Sequence, residues 1–167
     1  MNRKIALVLG SDSDLPVAKE AFDALKSFGI EYEARVLSAH RTPDELASYA
    51  SALRENGFAA VIAFAGMAAH LAGAIAARTT LPVIAVPCRG TNAAGIHSVF
   101  DGLDALLSSV QMPPGVPVAT TAVNGGTNAA LLAVQIIGVF DKDIAAALAA
   151  KKADMAKKVL EKDAGLK

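Results

Sequence analysis

A histidine and an arginine stand side by side at His40 and Arg41, in a turn that follows a strand-like run ending at Leu37. Histidine titrates near neutral pH and can both give and accept a proton, whereas arginine carries a permanent charge that suits phosphate or carboxylate. Taken alone, each is more often a solvated surface residue than a catalyst. Together they predict proton transfer beside an anion-binding group, provided that the turn faces a ligand.

The residues that follow indicate where this turn lies in a fold. Thr42 with Glu45 three positions later matches a capping box, and Pro43 suits the first position of a helix. We therefore expect a helix to begin at Pro43, with 38–41 forming the loop between a strand and that helix. Loops of this kind lie at the carboxyl ends of strands, where open α/β sheets bind their ligands.

A second polar turn, 10–14, follows the first apolar run of the chain and reads Gly-Ser-Asp-Ser-Asp. Hydroxyl groups at Ser11 and Ser13 beside the N–H groups of a helix start have the composition of a phosphate cradle. Because carboxylates repel phosphate at contact, we assign Asp14 to sugar hydroxyls or to the helix cap, and charge neutralisation to Arg41. The alternative is that Ser13 or Asp14 only caps the first helix.

A third turn, 65–73, leads into an alanine-rich helix that is expected to begin at about Ala68 without Ser, Thr, Asp or Asn to cap it. Its first N–H groups would lack a local partner and could bind the carboxylate of a ligand beside Gly66. His70 falls in the first turn of this helix, where the helix dipole disfavours positive charge. We expect His70 to act as a neutral donor, and the alternative is a packing residue.

The same turns exclude several cofactor sites, and we expect no cofactor. A dinucleotide site needs Gly-x-Gly-x-x-Gly after the first strand, which this chain lacks. A receiver domain needs an aspartate after the third strand, where the chain has Ala65-Gly66, and a flavin site needs aromatic side chains, but the chain has no Trp and 2 Tyr. The histidines His40, His70 and His97 form no i, i+4 pair with another ligand on one helix, so no metal is expected.

The composition favours one domain that binds neither nucleic acid nor membranes. The chain has 167 residues, and Lys plus Arg equal Asp plus Glu at 16 each, so no net field attracts a polyanion. The apolar stretch 58–77 is mostly Ala and Gly and is divided by Gly66, which argues against a membrane span. The single cysteine, Cys88, fits a reducing, cytoplasmic compartment. A hydrophobic content of 53% with mean hydropathy +0.41 predicts apolar surface that another subunit covers.

Strand-like and helix-like segments alternate along the chain. Strands are expected at 4–9, 31–37, 59–65, 81–86 and 116–123, and helices at 15–28, 43–56, 68–78, 103–111, 129–140 and 141–163. The first strand is a continuous apolar run, which is typical of parallel strands buried on both faces. The alternation predicts an α/β fold of the three-layer αβα, flavodoxin-like type, with a central parallel sheet of about five strands.

Several ordered motifs together give the chain a specific resemblance. They are Gly10-Ser11-x-Ser13-Asp14, Ser38-Ala39-His40-Arg41-Thr42-Pro43, Ala65-Gly66-x-Ala68-Ala69-His70-Leu71, Ser109-Val110-Gln111-Met112-Pro113 with Gly115-Val116-Pro117-Val118, and Asn128-Ala129-Ala130-Leu131-Leu132-Ala133. Across nearly the whole chain, this combination strongly resembles the class I carboxyaminoimidazole ribonucleotide mutases of purine biosynthesis. The resemblance implies a cofactor-free enzyme that moves a carboxylate from the exocyclic nitrogen of an aminoimidazole ribonucleotide to the neighbouring ring carbon.

The resemblance also implies an assembly and a set of site residues. It implies a homo-octamer with active sites at subunit contacts, a single mutase domain over 1–167, and a last helix, 141–163, that packs on a neighbouring subunit. His40 becomes the proton shuttle, with carbon dioxide held as an enclosed intermediate. The implied substrate-binding residues are Ser11, Ser13, Asp14, Ser38 and Arg41 at the ribose phosphate, and Gly66, Ala68, Ala69, His70 and Leu71 at the carboxylate and base.

Three other functions stay open at this point. Class II relatives carboxylate the nucleotide directly with carbon dioxide and typically have Lys where Arg41 stands, so this chain has the class I form. The segment 88–101, with Arg89, Asn92 and His97, is longer than the family's usual connection, which admits a paralogous carboxylase or decarboxylase on another nucleotide-like carboxylate. The last alternative is a non-catalytic nucleotide-binding oligomer.

Overall fold

The computed structural model of the chain describes residues 3–90 and 98–166. Within these residues, strands and helices alternate from the amino end of the chain. The strands are β1 (Lys4–Leu9), β2 (Glu31–Val36), β3 (Phe58–Gly66), β4 (Val83–Cys88) and β5 (Ala119–Thr120). The α-helices are α1 (Leu15–Ser27), α2 (Pro43–Ala52), α3 (Leu71–Ala76), α4 (Leu103–Val110), α5 (Gly126–Gly138) and α6 (Lys142–Ala164).

The strands form one parallel sheet in the order β2-β1-β3-β4-β5. From β1 the chain moves outward to β2 on one side and then returns to β3 on the other side. At such a reversal the two connections leave in opposite directions, which opens a crevice outside the carboxyl ends of β1 and β3. The predicted flavodoxin-like fold with five parallel strands is confirmed.

Alternate side chains of β1 supply two separate apolar layers, one on each face of the sheet. Ile5, Leu7 and Leu9 belong to a layer with buried residues of α1 and α5, whereas Ala6 and Val8 belong to one with residues of α2 and α3. All five side chains are at most 2% exposed. A strand that is covered on both faces must be apolar at every position, which explains the unbroken run in the sequence.

Two predicted elements differ from the structure. The last strand is Ala119–Thr120 instead of 116–123, because Pro117 has no N–H to donate to a strand ladder. Helix α3 begins at Leu71, three residues after the predicted Ala68. By contrast, β1 has the predicted bounds. The other predicted elements are present with ends that differ by up to four residues, and the predicted apolar span 58–77 is divided between β3 and α3.

The predicted capping box at Thr42 is wrong. Thr42 does precede α2, but its hydroxyl makes no bond to the helix. Instead, Thr42 Oγ1 accepts the N–H of Ser38 at 2.9 Å and donates to the carbonyl oxygen of Ser38 at 3.2 Å. The hydroxyl therefore closes the turn that contains His40 and Arg41.

The side chains in the second half of α6 are exposed. The only buried residue of this helix is Ile144 near its start, while Met155, Val159 and Leu160 are exposed. The expectation that this helix packs on a neighbouring subunit stays a prediction. In the described residues, no helix is both long and apolar enough to cross a membrane.

Candidate active site

The three predicted turns converge on one cavity of about 620 Å³ at the carboxyl edge of the sheet. The loops that follow β1, β2 and β3 each contribute to its wall, and Gly90, which follows β4, completes it. Ten of the eleven residues predicted for the site line this cavity: Ser11, Ser13, Asp14, Ser38, His40, Arg41, Gly66, Ala68, His70 and Leu71. The exception is Ala69.

Ala69 is bonded to another helix instead of facing the cavity. It is 3% exposed, and its N–H donates to Ser108 Oγ at 3.0 Å. The Ser108 hydroxyl in turn donates to the carbonyl oxygen of Ala105, so α4 holds the turn before α3 in place. The N–H of His70 is also engaged, by Ala68 O at 2.9 Å. The expectation that the N–H groups of this turn are free for a carboxylate is therefore wrong at 69 and 70, although α3 does begin without a side-chain cap.

His40 and His70 contact each other across the cavity edge. His40 Nε2 lies 2.8 Å from His70 Nδ1, and the ring centroids are 5.0 Å apart at an interplanar angle of 88°. In such a bond one ring donates its N–H and the other accepts through its lone pair, so the two facing nitrogens share one proton. Both histidines are exposed, so His70 is not the packing residue of the alternative interpretation.

The hydroxyl of Ser38 organises the turn that presents His40 and Arg41. Ser38 Oγ accepts the backbone N–H of His40 at 3.3 Å, the backbone N–H of Arg41 at 3.2 Å and Arg41 Nε at 3.4 Å. Arg41 Nη2 also donates to Gly10 O at 3.0 Å and so joins the turns after β1 and β2. The guanidinium is thereby held with donors still free for a ligand, since it has five N–H groups.

The turn after β1 contains a capping box that the sequence reading missed. Ser11 Oγ accepts the N–H of Ser13 at 3.3 Å, and Asp14 Oδ2 accepts the N–H of Ser11 at 3.1 Å. This box closes a single 3₁₀ turn, Asp12–Asp14, and the Asp14 side chain makes no bond to α1. Asp14 thus caps the short turn, and Ser13 remains exposed at the cavity.

Asp14 is a carboxylate buried at the floor of this turn. It is 6% exposed. Burial raises its pKa from 3.8 to about 6, which outweighs the hydrogen bonds from Ser11 and Cys88 and the attraction of Arg41. A rise of this size corresponds to about 3 kcal/mol of free energy. Burial, together with the charge of Asp14, raises the pKa of the Cys88 thiol far above its usual range, so Cys88 is not a thiolate nucleophile.

Replacing Asp14 with Asn should stabilise the fold in a pH-dependent way. The pKa of Asp14 is higher in the folded state than in the unfolded state. Below pH 3.8 the carboxyl group is protonated in both states and does not lower the free energy of unfolding, whereas above about pH 6 it is ionised in both states and lowers it by the full amount. The unfolding free energy of Asp14→Asn relative to the parent should therefore rise across that interval, by up to about 3 kcal/mol. Urea titrations at several pH values measure it, with Asp23→Asn as control, since Asp23 is exposed and lies outside this turn. A difference that stays constant from pH 4 to pH 7 contradicts the burial cost.

Gly90 lines the cavity and Ser108 bonds to the turn before α3, and neither residue was predicted from the sequence. The position of Gly90 could have been predicted, because it follows β4 and so lies at the sheet edge that holds the other three turns. A Cβ added to Gly66 would lie 2.8 Å from Gly90 Cα, so the walls of the cavity approach each other through two glycines. The role of Ser108 could not have been predicted from a local pattern, because its bond to Ala69 joins residues 39 positions apart.

The segment 88–101, which the sequence analysis predicts to be longer than the family's usual connection, is only partly described. Arg89 Nε pairs with Asp101 Oδ1 at 3.0 Å, and the Arg89 N–H donates to Asn124 Oδ1 at 3.0 Å. Asn92 and His97 lie outside the described residues. In the described parts of the chain, no group of three or more His, Cys, Asp or Glu side chains is arranged to hold a metal ion.

A parallel sheet in the order 2-1-3-4-5 with a cavity at its reversal point defines a flavodoxin-like α/β protein with a small-molecule site. A model of the AIR carboxylase family matches residues 4–158 of the chain. The chain therefore belongs to the AIR carboxylase family.

Named relatives and a solved structure agree with this assignment. An N5-carboxyaminoimidazole ribonucleotide mutase from Thermotoga maritima is 48% identical over 159 residues, which cover 95% of this chain and 89% of that protein. A chloroplastic phosphoribosylaminoimidazole carboxylase from Vigna aconitifolia is 48% identical over 156 residues, which cover 93% of this chain but only 27% of that protein's length. The crystal structure of Treponema denticola PurE superposes with a TM-score of 0.84 at 32% identity, and 98% of each chain is covered.

Proposed function

We propose that the protein is an N5-carboxyaminoimidazole ribonucleotide mutase, which transfers a carboxylate from the exocyclic nitrogen to the adjacent ring carbon of the nucleotide in purine biosynthesis. The mutase from Thermotoga maritima, similar over nearly its whole length, supports this activity. The observation that carries the proposal is the shared cavity, which is lined by a histidine pair, an arginine and three serines.

The residues that line the cavity form two groups, and we assign each group to one end of such a nucleotide. We assign the ribose phosphate to the hydroxyls of Ser11, Ser13 and Ser38 and to the guanidinium of Arg41, which can donate two parallel hydrogen bonds to phosphate. We assign a ribose hydroxyl to Asp14, whose burial favours a hydrogen-bonding role over direct contact with the phosphate. We assign the imidazole and its carboxylate to the histidine pair, together with Gly66, Ala68 and Leu71, which also line the cavity.

The reaction needs one proton to be delivered and one to be removed. When the bond between nitrogen and the carboxyl carbon breaks, the electron pair stays on nitrogen, which gains a proton, and carbon dioxide is released. The ring carbon then bonds to the carbon dioxide and loses its own proton. A single group that titrates near neutrality can perform both transfers, and we assign them to His40. His70, which shares a proton with His40, sets the hydrogen position on that ring.

The net reaction moves a carboxylate without oxidation or reduction, so its electrons balance without a cofactor. We propose that carbon dioxide stays enclosed between the two steps. We also propose a homo-octamer of single mutase domains in which α6 contacts a neighbouring subunit, since the exposed half of that helix includes Met155, Val159 and Leu160. We propose a cytoplasmic location, which suits a chain with a single cysteine.

A second candidate is direct carboxylation of aminoimidazole ribonucleotide. It is favoured by the name of the plant relative, a carboxylase that is as similar in identity as the mutase, although the chain spans only 27% of that relative. Arg41 favours the mutase, because class II carboxylases typically have lysine at this position. The two activities differ in the compound that brings the carboxyl group.

Supplying each nucleotide with and without bicarbonate distinguishes the candidates. The mutase should convert the N-carboxylated nucleotide to the ring-carboxylated product in bicarbonate-free buffer, and it should show no saturable use of bicarbonate with aminoimidazole ribonucleotide. A direct carboxylase gives the opposite pattern. Turnover of neither compound, with binding of both, identifies a non-catalytic nucleotide-binding protein, whereas no binding indicates a paralogue for another carboxylate.

A further inference from the structure

Ser108 lies on α4 and is bonded to the turn that carries His70. Its hydroxyl oxygen accepts the backbone N–H of Ala69 at 3.0 Å, and its hydroxyl hydrogen is donated to the carbonyl oxygen of Ala105 at 3.1 Å. Neither Ser108 nor Ala69 lines the cavity, whereas Ala68 and His70, the chain neighbours of Ala69, both do. The hydroxyl therefore holds the active-site turn without being part of the cavity wall.

The N–H of Ala69 depends on this bond because it is shielded from water. Ala69 is 3% exposed, and a buried donor that loses its acceptor destabilises the structure until it reaches water or another partner. Helix α3 is held separately, since a Cβ added to Gly73 would lie 3.4 Å from both Sδ and Cε of Met112. Loss of the Ser108 hydroxyl should therefore displace the turn 67–70, which includes His70, more than the helix that follows it.

The two histidine rings are carried by turns with separate anchors. Bonds of Ser38 and Thr42 close the turn of His40 within itself. The turn of His70 is instead bonded to α4 through Ser108. His40 Nε2 and His70 Nδ1 are 2.8 Å apart, and a separation of about 3.6 Å is no longer a hydrogen bond. A movement of His70 by about 0.8 Å along this line is enough to break the contact.

We infer that Ser108 is a positioning residue whose hydroxyl keeps His70 at the distance where it shares a proton with His40. The inference rests on the proposed function, in which His40 transfers the protons and His70 sets the hydrogen position on the His40 ring. The bonds of Ser38 to its own turn and of Arg41 to Gly10 do not involve α4. Ser108 therefore contributes to proton transfer and not to the binding of the phosphate.

The variant Ser108→Ala removes the acceptor for the Ala69 N–H, and Ser109→Ala is its matched control. Ser109 is the next residue of the same helix, and its hydroxyl donates to the same Ala105 carbonyl oxygen at 2.8 Å. Among the described residues, its hydroxyl bonds to Ala105 and not to the turn before α3. Ser108→Thr tests rescue, because threonine restores a hydroxyl that can also bond to a carbonyl of the preceding helical turn.

We expect Ser108→Ala to lower kcat for the N-carboxylated nucleotide by about ten- to a hundredfold, while KM changes by less than about threefold. Ser109→Ala and Ser108→Thr should keep kcat within about threefold of the parent. Urea titrations establish whether each variant is folded under the assay conditions. If Ser108→Ala does not fold, Ser108→Cys takes its place, and kcat should fall by a smaller factor because sulfur is a weak acceptor.

A double-mutant cycle with His70→Asn separates positioning from general damage. If Ser108 acts through His70, the two effects do not add, so Ser108→Ala should lower kcat by less than about threefold in the His70→Asn background. A crystal structure of Ser108→Ala provides a readout that needs no turnover. In that structure the facing nitrogens of His40 and His70 should be more than about 3.5 Å apart.

Three results overturn the inference. The first is a folded Ser108→Ala variant with the kcat of the parent, and the second is an undiminished loss of kcat in the His70→Asn background. The third is a structure of Ser108→Ala in which the two rings keep their separation of 2.8 Å. A parent protein that converts neither nucleotide contradicts the proposed function instead. The structure of Ser108→Ala then still decides whether Ser108 positions His70, so the two failures are distinguishable.

Discussion

His40→Asn should bind the nucleotide nearly as well as the parent protein and lose the interconversion, with kcat lower by about 10²–10⁴-fold. Asparagine can still form a hydrogen bond at this position, but it cannot carry a proton at neutral pH. The turn should keep its shape, because Ser38 and Thr42 hold it through bonds that involve no His40 side-chain atom. Steady-state conversion and calorimetric titration with the ring-carboxylated product measure the two effects.

A second readout separates proton transfer from structural damage. In deuterated water, the parent protein should catalyse exchange of the ring-carbon hydrogen of aminoimidazole ribonucleotide, and His40→Asn should not. His70→Asn is the matched comparison, since it removes the partner at 2.8 Å while leaving the proposed shuttle in place, and it should keep measurable exchange. If His40→Asn turns over within tenfold of the parent, the assignment of His40 is wrong.

Arg41→Ala should weaken nucleotide binding without a comparable change in kcat. The guanidinium is the only permanent cation among the described residues that line the cavity, and a hydrogen bond to a charged group is worth about 1.5–3 kcal/mol. KM should therefore rise by about 10–150-fold. The variant also removes the bond to Gly10 that joins two turns, so circular dichroism should establish that the fold is intact.

Arg41→Lys tests whether charge alone is sufficient. Lysine keeps the charge but lacks the planar pair of donors, so KM should lie between the parent and Arg41→Ala values. Arg54→Ala is the control, because Arg54 bonds to Thr80 and does not line the cavity. An unchanged KM in Arg41→Ala, or a fall in kcat alone, contradicts a phosphate-binding role.

Much of the site could be predicted because the relevant signals are local. His40 and Arg41 follow a strand and precede a proline-started helix, and the carboxyl ends of parallel strands share one sheet edge. Convergence of the three turns follows from that rule without any knowledge of side-chain contacts. The bounds of β1 followed from its unbroken apolar run for a similar reason, since burial on both faces leaves no freedom in residue type.

The remaining features depend on contacts between distant segments. Thr42 matched a capping box, but its hydroxyl bonds to the backbone of Ser38 instead of to α2. The bond between Ser108 and Ala69 leaves no pattern in either segment. The burial of Asp14, which raises its pKa, depends on β3, β4 and α1 packing around it, and no spacing in the turn 10–14 encodes this.

The measurement that tests the central claim most directly is a crystal structure of the protein with the ring-carboxylated nucleotide bound. We predict a ring nitrogen of His40 within about 3 Å of the ring carbon or the exocyclic nitrogen, with the phosphate on Arg41 at the opposite end of the cavity. A nucleotide bound in the reverse orientation, or with its base outside hydrogen-bonding reach of His40, would contradict the account.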